Sequence, residues 1–270
     1  MSASMSTINR IVSSLREDGL RVTVAKSVRF SFLTLRNWQR AWWLRQFRNG
    51  QPAEVVFTEI YRKNYWGNTE SVSGYGSTLS NTADMQNDLI SLLHDFSIAS
   101  IYDAPCGDFN WMRQVVRSAS VQYHGVDIVP DVIATNRQRY ERENCHFSVG
   151  NITRDTFPEA DLWICRDCLI HLNYADIHLA LRNFVASSIP YVLTTTYVND
   201  GLFRNKDIFT GDFRMIDLFA EPFCLAREVA FRIRDTPVND HAREMCLWTR
   251  EQIAAALPAM ENRLAIASRR

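Results

Sequence analysis

The chain has 270 residues, 46% hydrophobic and 22% charged, with 30 basic side chains balanced by 30 acidic ones. That length can bury a sizeable core and suits one catalytic domain with extensions. No apolar run reaches the ~18 residues a membrane span needs. Six cysteines scattered through strand-like runs imply reduced thiols in a cytoplasm rather than a disulfide framework. Residues 1–14 lack the apolar core and cleavage site of a signal peptide.

The charge is unevenly spread. Residues 1–50 carry nine Lys and Arg against Glu17 and Asp18, a net +7 that leaves −7 for the rest. Ile8, Ile11, Val12 and Leu15 recur at helical spacing, as do Phe32, Leu35, Trp38 and Trp42, with Arg29, Arg36 and Arg40 opposite. The spacing predicts a basic, helical N-terminal extension over residues 1–50. Its aromatic face either packs on the catalytic domain or lies on an anionic membrane surface, peripheral to the inner face of the membrane. The net acidic remainder argues against a nucleic-acid partner.

Residues 61–77 are aromatic, glycine-rich and hydroxyl-rich without a clean period, which predicts a loop. A loop that long is functional or disordered, and Tyr61, Tyr65, Trp66 and Tyr75 argue against disorder. We expect residues 51–90 to form a lid over a ligand, or a structural cap over a sheet, ahead of a domain at 91–270. That domain opens on Ser100-Ile101-Tyr102-Asp103, a strand running into Ala104-Pro105-Cys106-Gly107 and then a helix. Such a turn lets backbone approach a ligand closely and aims helix N–H groups at a negative group. A second strand-like run, Val121 to Ile128, carries Asp127, 20 positions after Gly107. In nucleoside-binding α/β folds an acid at that spacing accepts ribose hydroxyls. Cys145 to Val149 leads into Gly150-Asn151-Ile152, and Ala160 to Cys165 opens onto Arg166-Asp167-Cys168-Leu169-Ile170-His171. Tyr191 to Tyr197 is a β-branched run before a polar insertion at 198–221, and Pro222 to Phe231 and Glu244 to Trp248 read as two late strands.

Taken together these units resemble the class I S-adenosylmethionine-dependent methyltransferases. Of their acidic-x-Gly-x-Gly-x-Gly motif only Gly107 survives, with Pro105 and Phe109 in the outer positions. The Trp66-Gly67 and Ser73-Gly74-Tyr75-Gly76-Ser77 stretch resembles the segment before that motif in a bacterial subgroup. The resemblance implies a Rossmann-like, doubly wound, mostly parallel seven-stranded sheet closed by an antiparallel strand pair. It also implies S-adenosylmethionine as cofactor. The residues it assigns to that cofactor are Asp103, Pro105, Cys106, Gly107, Asp127, Ile128, Asn151, Ile152 and Arg166, with Trp66, Gly74 and Ser77 from the lid. Asn151 stands where the family usually places an Asp for the adenine amino group.

Catalytic needs depend on the acceptor. A hydroxyl is a poor nucleophile and gains about 10²–10⁴-fold from a general base, whereas a neutral amine needs little beyond positioning. Asp167 and His171 are four apart and share a face if a helix begins after the fourth strand. His171 is then the base and Asp167 its orienting partner or a group facing the sulfonium; otherwise His171 is a packing histidine. Tyr197, Asn199 and Arg214 in the insertion are placed to bind a polyhydroxylated or anionic acceptor, or else serve as scaffold. The expected function is O-methylation of a glycan or other hydroxylated small molecule. N-methylation of a small amine and a cofactor-binding regulatory module stay open. Cys165 and Cys168 form a Cys-x-x-Cys without a second pair, so no metal or redox role is expected.

Overall fold

The computed structural model describes residue 47, residues 50–236 and residues 240–267. A unit boundary follows Gly50, and everything below concerns Gln51–Arg270. The basic N-terminal extension, with its two alternative contacts, lies outside the described residues.

Seven strands form one sheet in the order β3-β2-β1-β4-β5-β7-β6. They are β1 (Ser100–Asp103), β2 (Gln122–Asp127), β3 (Cys145–Val149), β4 (Leu162–Cys165), β5 (Tyr191–Tyr197), β6 (Phe231–Arg234) and β7 (Arg243–Thr249). The first five pair in parallel, with Ser100 opposite Gln122 and Ile101 opposite Leu162. β7 inserts antiparallel between β5 and β6, with Tyr191 opposite Thr249 and Phe231 opposite Leu247. The mostly parallel, doubly wound sheet with an antiparallel closing pair is the expected fold.

Side chains alternate across the sheet because successive Cβ atoms point to opposite faces. Tyr102, Trp163, Val192 and Trp248 join one buried cluster, while Ile101, Ile164, Leu193 and Leu247 join the other. Helices cover both faces, which is why these strands read as continuous apolar runs. They are α1 (Ala53–Arg62), α2 (Leu79–Asp95), α3 (Met112–Ala119), α4 (Pro130–Tyr140), α5 (Tyr174–Ala186) and α6 (Arg250–Ala267).

Three elements differ from expectation. The domain boundary expected at residue 90 falls inside α2, whose Thr82, Met85, Leu89, Leu92 and Leu93 are buried at three- and four-residue spacing. That helix belongs to the core. The late strand expected over Pro222 to Phe231 forms instead at Phe231–Arg234. Pro222 cannot donate to a ladder, Cys224 turns the chain with φ 48, and Phe223 is buried edge-on to Tyr174 at 5.3 Å. Finally, no α-helix starts directly after β4. Asp167 sits at φ 52 and a single 3₁₀ turn, Leu169–His171, follows. α5 begins only where the Asn173 side chain accepts the Asp176 N–H at 2.7 Å as an N-cap.

Candidate active site

Strand order reverses between β1 and β4, and at that switch point the carboxyl ends of the strands open a crevice. Here it is a cavity of about 360 Å³ covered by residues 66–77. The structure brings every expected cofactor residue to it. Asp103, Pro105, Cys106 and Gly107 come from the end of β1, and Asp127 and Ile128 from β2. Asn151 and Ile152 follow β3, Arg166 follows β4, and Trp66, Gly74 and Ser77 come from the covering strap.

The turn after β1 is shaped for close approach. Gly107 has φ +53, and a Cβ there would meet the Ser73 hydroxyl oxygen at 2.2 Å. Its N–H donates to Asp127 Oδ2 at 3.0 Å, and the Val129 N–H donates to Asp127 Oδ1 at 3.0 Å. Each carboxylate oxygen keeps a lone pair for a further donor. Phe109 takes the place of the last motif glycine yet keeps a left-handed φ of 58. Its ring wedges against Tyr123 at 4.8 Å and Phe147 at 5.1 Å. Burial pushes the Asp127 carboxyl up to about 6. It pushes Asp103 up to about 7, even with the Tyr123 hydroxyl donating at 2.6 Å.

The strap is sewn to this turn. Asp108 accepts the Val72 N–H at 2.9 Å and the Ser71 and Ser73 hydroxyls at 3.1 and 3.3 Å. The Asp108 N–H returns a bond to Ser73 Oγ at 3.1 Å. Asn110 donates to Ser77 O at 3.0 Å and to Glu70 at 2.9 Å. Asn151 is more committed than expected, since its amide oxygen accepts both the N–H and the hydroxyl of Thr153, at 2.9 and 2.8 Å.

Beyond β4, Asp167 and His171 both line the cavity but share no helix face. The His171 Nδ1–H donates to the Asp212 carbonyl at 2.8 Å, and the ring lies 5.5 Å from Trp66 and 6.0 Å from Phe213. Burial pulls its pKa below the ordinary 6.5, so the ring is neutral at pH 7 with Nε2 as acceptor.

Asp167 belongs to a buried quartet. Arg166 donates to both Asp235 oxygens at 2.9 Å and to Gly76 O at 2.8 Å. The Arg243 Nε–H donates to Asp235 O at 2.7 Å, and Arg243 Nη2 lies 3.0 Å from Asp167 Oδ2. Burial alone would raise the Asp167 carboxyl; Arg166 and Arg243 overturn that and hold it below its usual range.

The three expected acceptor residues do not line this cavity. Tyr197 is buried, with its hydroxyl interacting with Arg243. Asn199 donates to Phe203 O at 3.0 Å and to Asp217 Oδ2 at 3.2 Å. Arg214 donates to Leu172 O at 2.6 Å and sits over the Tyr174 ring at 5.2 Å. The polar groups of Asn199 and Arg214 organise and anchor the insertion, while the Tyr197 hydroxyl ties the end of β5 to β7. The insertion instead contributes Phe213, α1 contributes Phe57 and Tyr61, and β7 contributes Arg243. Sequence reasoning placed Tyr61 in the covering segment but missed Phe213, Phe57 and Arg243. An arginine just ahead of the apolar run Met245-Cys246-Leu247-Trp248 was the available signal, for Arg243.

Residues 101–188 match the family described as a methyltransferase domain. No curated protein sequence matches the chain. The fold resembles human N-acetylserotonin methyltransferase in complex with SAM, at 14% identity and TM-score 0.51 over 87% of this chain and 69% of that one. It also resembles N-methyltransferase NodS from Bradyrhizobium japonicum WM9, with S-adenosyl-L-homocysteine, at 13% identity and TM-score 0.53 over 71% of this chain and 97% of that one. A third likeness is to magnesium protoporphyrin IX methyltransferase from Synechocystis PCC 6803 with bound SAM, at 10% identity and TM-score 0.51 over 74% and 98%. At such identities the likeness is one of fold. The matched methyltransferase domain lies across β1 to α5, where the glycine turn and the cavity are built, and the fold around it is that of the class I S-adenosylmethionine-dependent methyltransferases.

Proposed function

We propose that the chain transfers a methyl group from S-adenosylmethionine to a hydroxyl of a small ring-bearing acceptor, a glycan or other hydroxylated metabolite, with His171 as general base. The cofactor reading is supported by the open side of the Gly107 turn, by the spare lone pairs of Asp127, and by the solved neighbours that carry SAM or its demethylated product. When bound, the cofactor supplies an electrophilic methyl on a sulfonium. Asp127 holds ribose hydroxyls, and the Gly107 backbone admits the cofactor's close approach. The strap excludes water.

One observation carries the hydroxyl assignment: His171 is neutral, its Nδ1–H is engaged by a backbone carbonyl, and it lines the cavity between two aromatic rings. That arrangement fixes the tautomer and leaves Nε2 to accept the acceptor's proton. Trp66 and Phe213 are 36% and 57% exposed, so they can offer ring faces to the apolar side of a sugar or another planar ring. One neighbour is named an N-methyltransferase and another is named only by its substrate, N-acetylserotonin, so the fold does not choose the acceptor atom. The histidine does.

His171→Ala is expected to lower turnover about 10²-fold or more while S-adenosylhomocysteine affinity holds. Near-normal turnover in that variant would shift the acceptor to an amine, which positioning alone can methylate.

A further inference from the structure

The turn that carries His171 is held from outside its own backbone. The consecutive carbonyls of Ile170, His171 and Leu172 each accept a bond from the insertion. The Arg214 N–H donates to Ile170 O at 3.1 Å, the Gly211 N–H to His171 O at 2.8 Å, and Arg214 Nη1 to Leu172 O at 2.6 Å. The Asp212 carbonyl, from the same stretch, accepts the His171 Nδ1–H at 2.8 Å. Residues 211–214 thus fix both the backbone and the ring of the base. They are themselves pressed on α1, since Gly211 has φ +96 and a Cβ there would lie 2.5 Å from Val56 Cγ1.

Arg214 differs from the rest of this clamp in carrying a charge that is buried and poorly answered. The residue is 2% exposed, and its Nε and Nη2 are buried without a hydrogen-bond partner among the described residues. Its guanidinium lies over the Tyr174 ring at 5.2 Å. Burial pulls its pKa down to about 10, against the weaker pull of Tyr174 and Asp207. One Asp207 oxygen is itself occupied by the N–H groups of Tyr174 and Ile208, at 2.8 and 2.9 Å. A buried cation without a close ion partner costs stability. A neutral donor could make the same bond to Leu172, so the charge needs a reason beyond that bond.

We propose that Arg214 is the positioning residue for the base, its backbone and guanidinium gripping the carbonyls on either side of His171 while its charge stays unneutralised beside that turn. The inference rests on His171 as the base, as read above. Among the described residues, charged groups act on the ring from two places: Asp167 from the turn after β4, and Asp212 and Arg214 from the insertion. Burial lowers the His171 pKa most; the Asp212 carbonyl and the two carboxylates raise it, and Arg214 lowers it. Arg214 is the cation that offsets those acids. It keeps Nε2 free of a proton before the acceptor arrives, and the acids remain to steady the imidazolium that forms once the acceptor's proton is taken.

NMR titration of the histidine rings tests this on the full chain with S-adenosylhomocysteine added, His171→Gln assigning the signal among the six histidines. In Arg214→Gln, neutral and of similar length, the proton affinity of His171 should rise about 3–10-fold. Arg214→Lys keeps the charge and should stay within about 2-fold of wild type. An unmoved His171 in Arg214→Gln overturns the proposal. So does an equal rise in both variants, which would report a loosened and wetter turn rather than a lost charge. If Arg214→Gln fails to fold, Arg214→Met takes its place, with the same rise expected and the same unmoved signal decisive. Wild-type His171 titrating at or above the ordinary 6.5 refutes the proposal outright. An unmoved titration removes this inference alone, whereas near-normal turnover in His171→Ala removes the base reading and this inference with it.

Discussion

At Gly107 a hydrogen in place of a methyl group decides whether the strap can seat. The Cβ of an alanine would overlap the Ser73 oxygen at 2.2 Å, and φ +53 adds a left-handed penalty of about 1 kcal/mol. Gly107→Ala is therefore expected to weaken S-adenosylhomocysteine binding about 10-fold or more by calorimetry. Adding Ser73→Gly should recover part of the loss but not all, since the backbone term remains. Equal affinity in Gly107→Ala and wild type would mean that the strap does not depend on this contact. Gly107 and Asp127 were legible in the sequence because a turn and the next strand are joined by short, stiff connections that convert spacing into geometry. Arg243 was not, because it reaches the same cavity from β7, far along the chain. Asn199 and Arg214 were misjudged for another reason. Local polarity does not reveal whether a side chain faces a ligand or, as here, Asp217 and the Leu172 carbonyl within its own scaffold.

Among elements, the parallel strands were the most legible, since burial on both faces leaves runs such as Leu162–Cys165 wholly apolar. Pro222 to Ala230 carries similar apolar content but plugs the core as an irregular segment. Composition alone cannot separate the two without the neighbour that completes a ladder. The i to i+4 spacing of Asp167 and His171 puts them on one face only if a helix follows β4, whereas Thr195 Oγ1 accepts the Asp167 N–H at 2.9 Å at a left-handed turn. The strap was recognised as ordered from its aromatics. What holds it, the Asp108 carboxylate, is visible only in three dimensions. Asp108→Ala removes the acceptor for three donors of residues 71–73. Limited proteolysis should then cut within residues 63–74 several times faster, while the urea midpoint of the whole fold shifts by no more than about 1–2 kcal/mol equivalent. Unchanged cleavage would show that Asn110 and Arg166 hold the strap without it.

For the molecule as a whole, the two clusters on either side of the sheet carry the stability, and the acids buried at the crevice oppose it. Asp103 goes from an ordinary 3.8 in the unfolded chain to about 7 when buried. Between those values the native state retains a proton that the unfolded state has released, so this group makes stability fall as pH rises from about 4 to about 7 and level off above. Urea unfolding of wild type and Asp103→Asn across pH 4.5–8 should show the difference between them changing in that window, with wild type losing ground toward neutrality. Parallel curves would place the carboxylate in a wetter setting than its burial implies. The position of β7 carries a further consequence. It fills the gap between β5 and β6 rather than an outer edge, and it begins at Arg243. A chain still emerging from the ribosome thus presents its glycine turn long before the arginine that faces it, and leaves one side of β5 unpaired until the final strand slots in. Completion of the sheet and of this wall of the cavity therefore come together in the same strand.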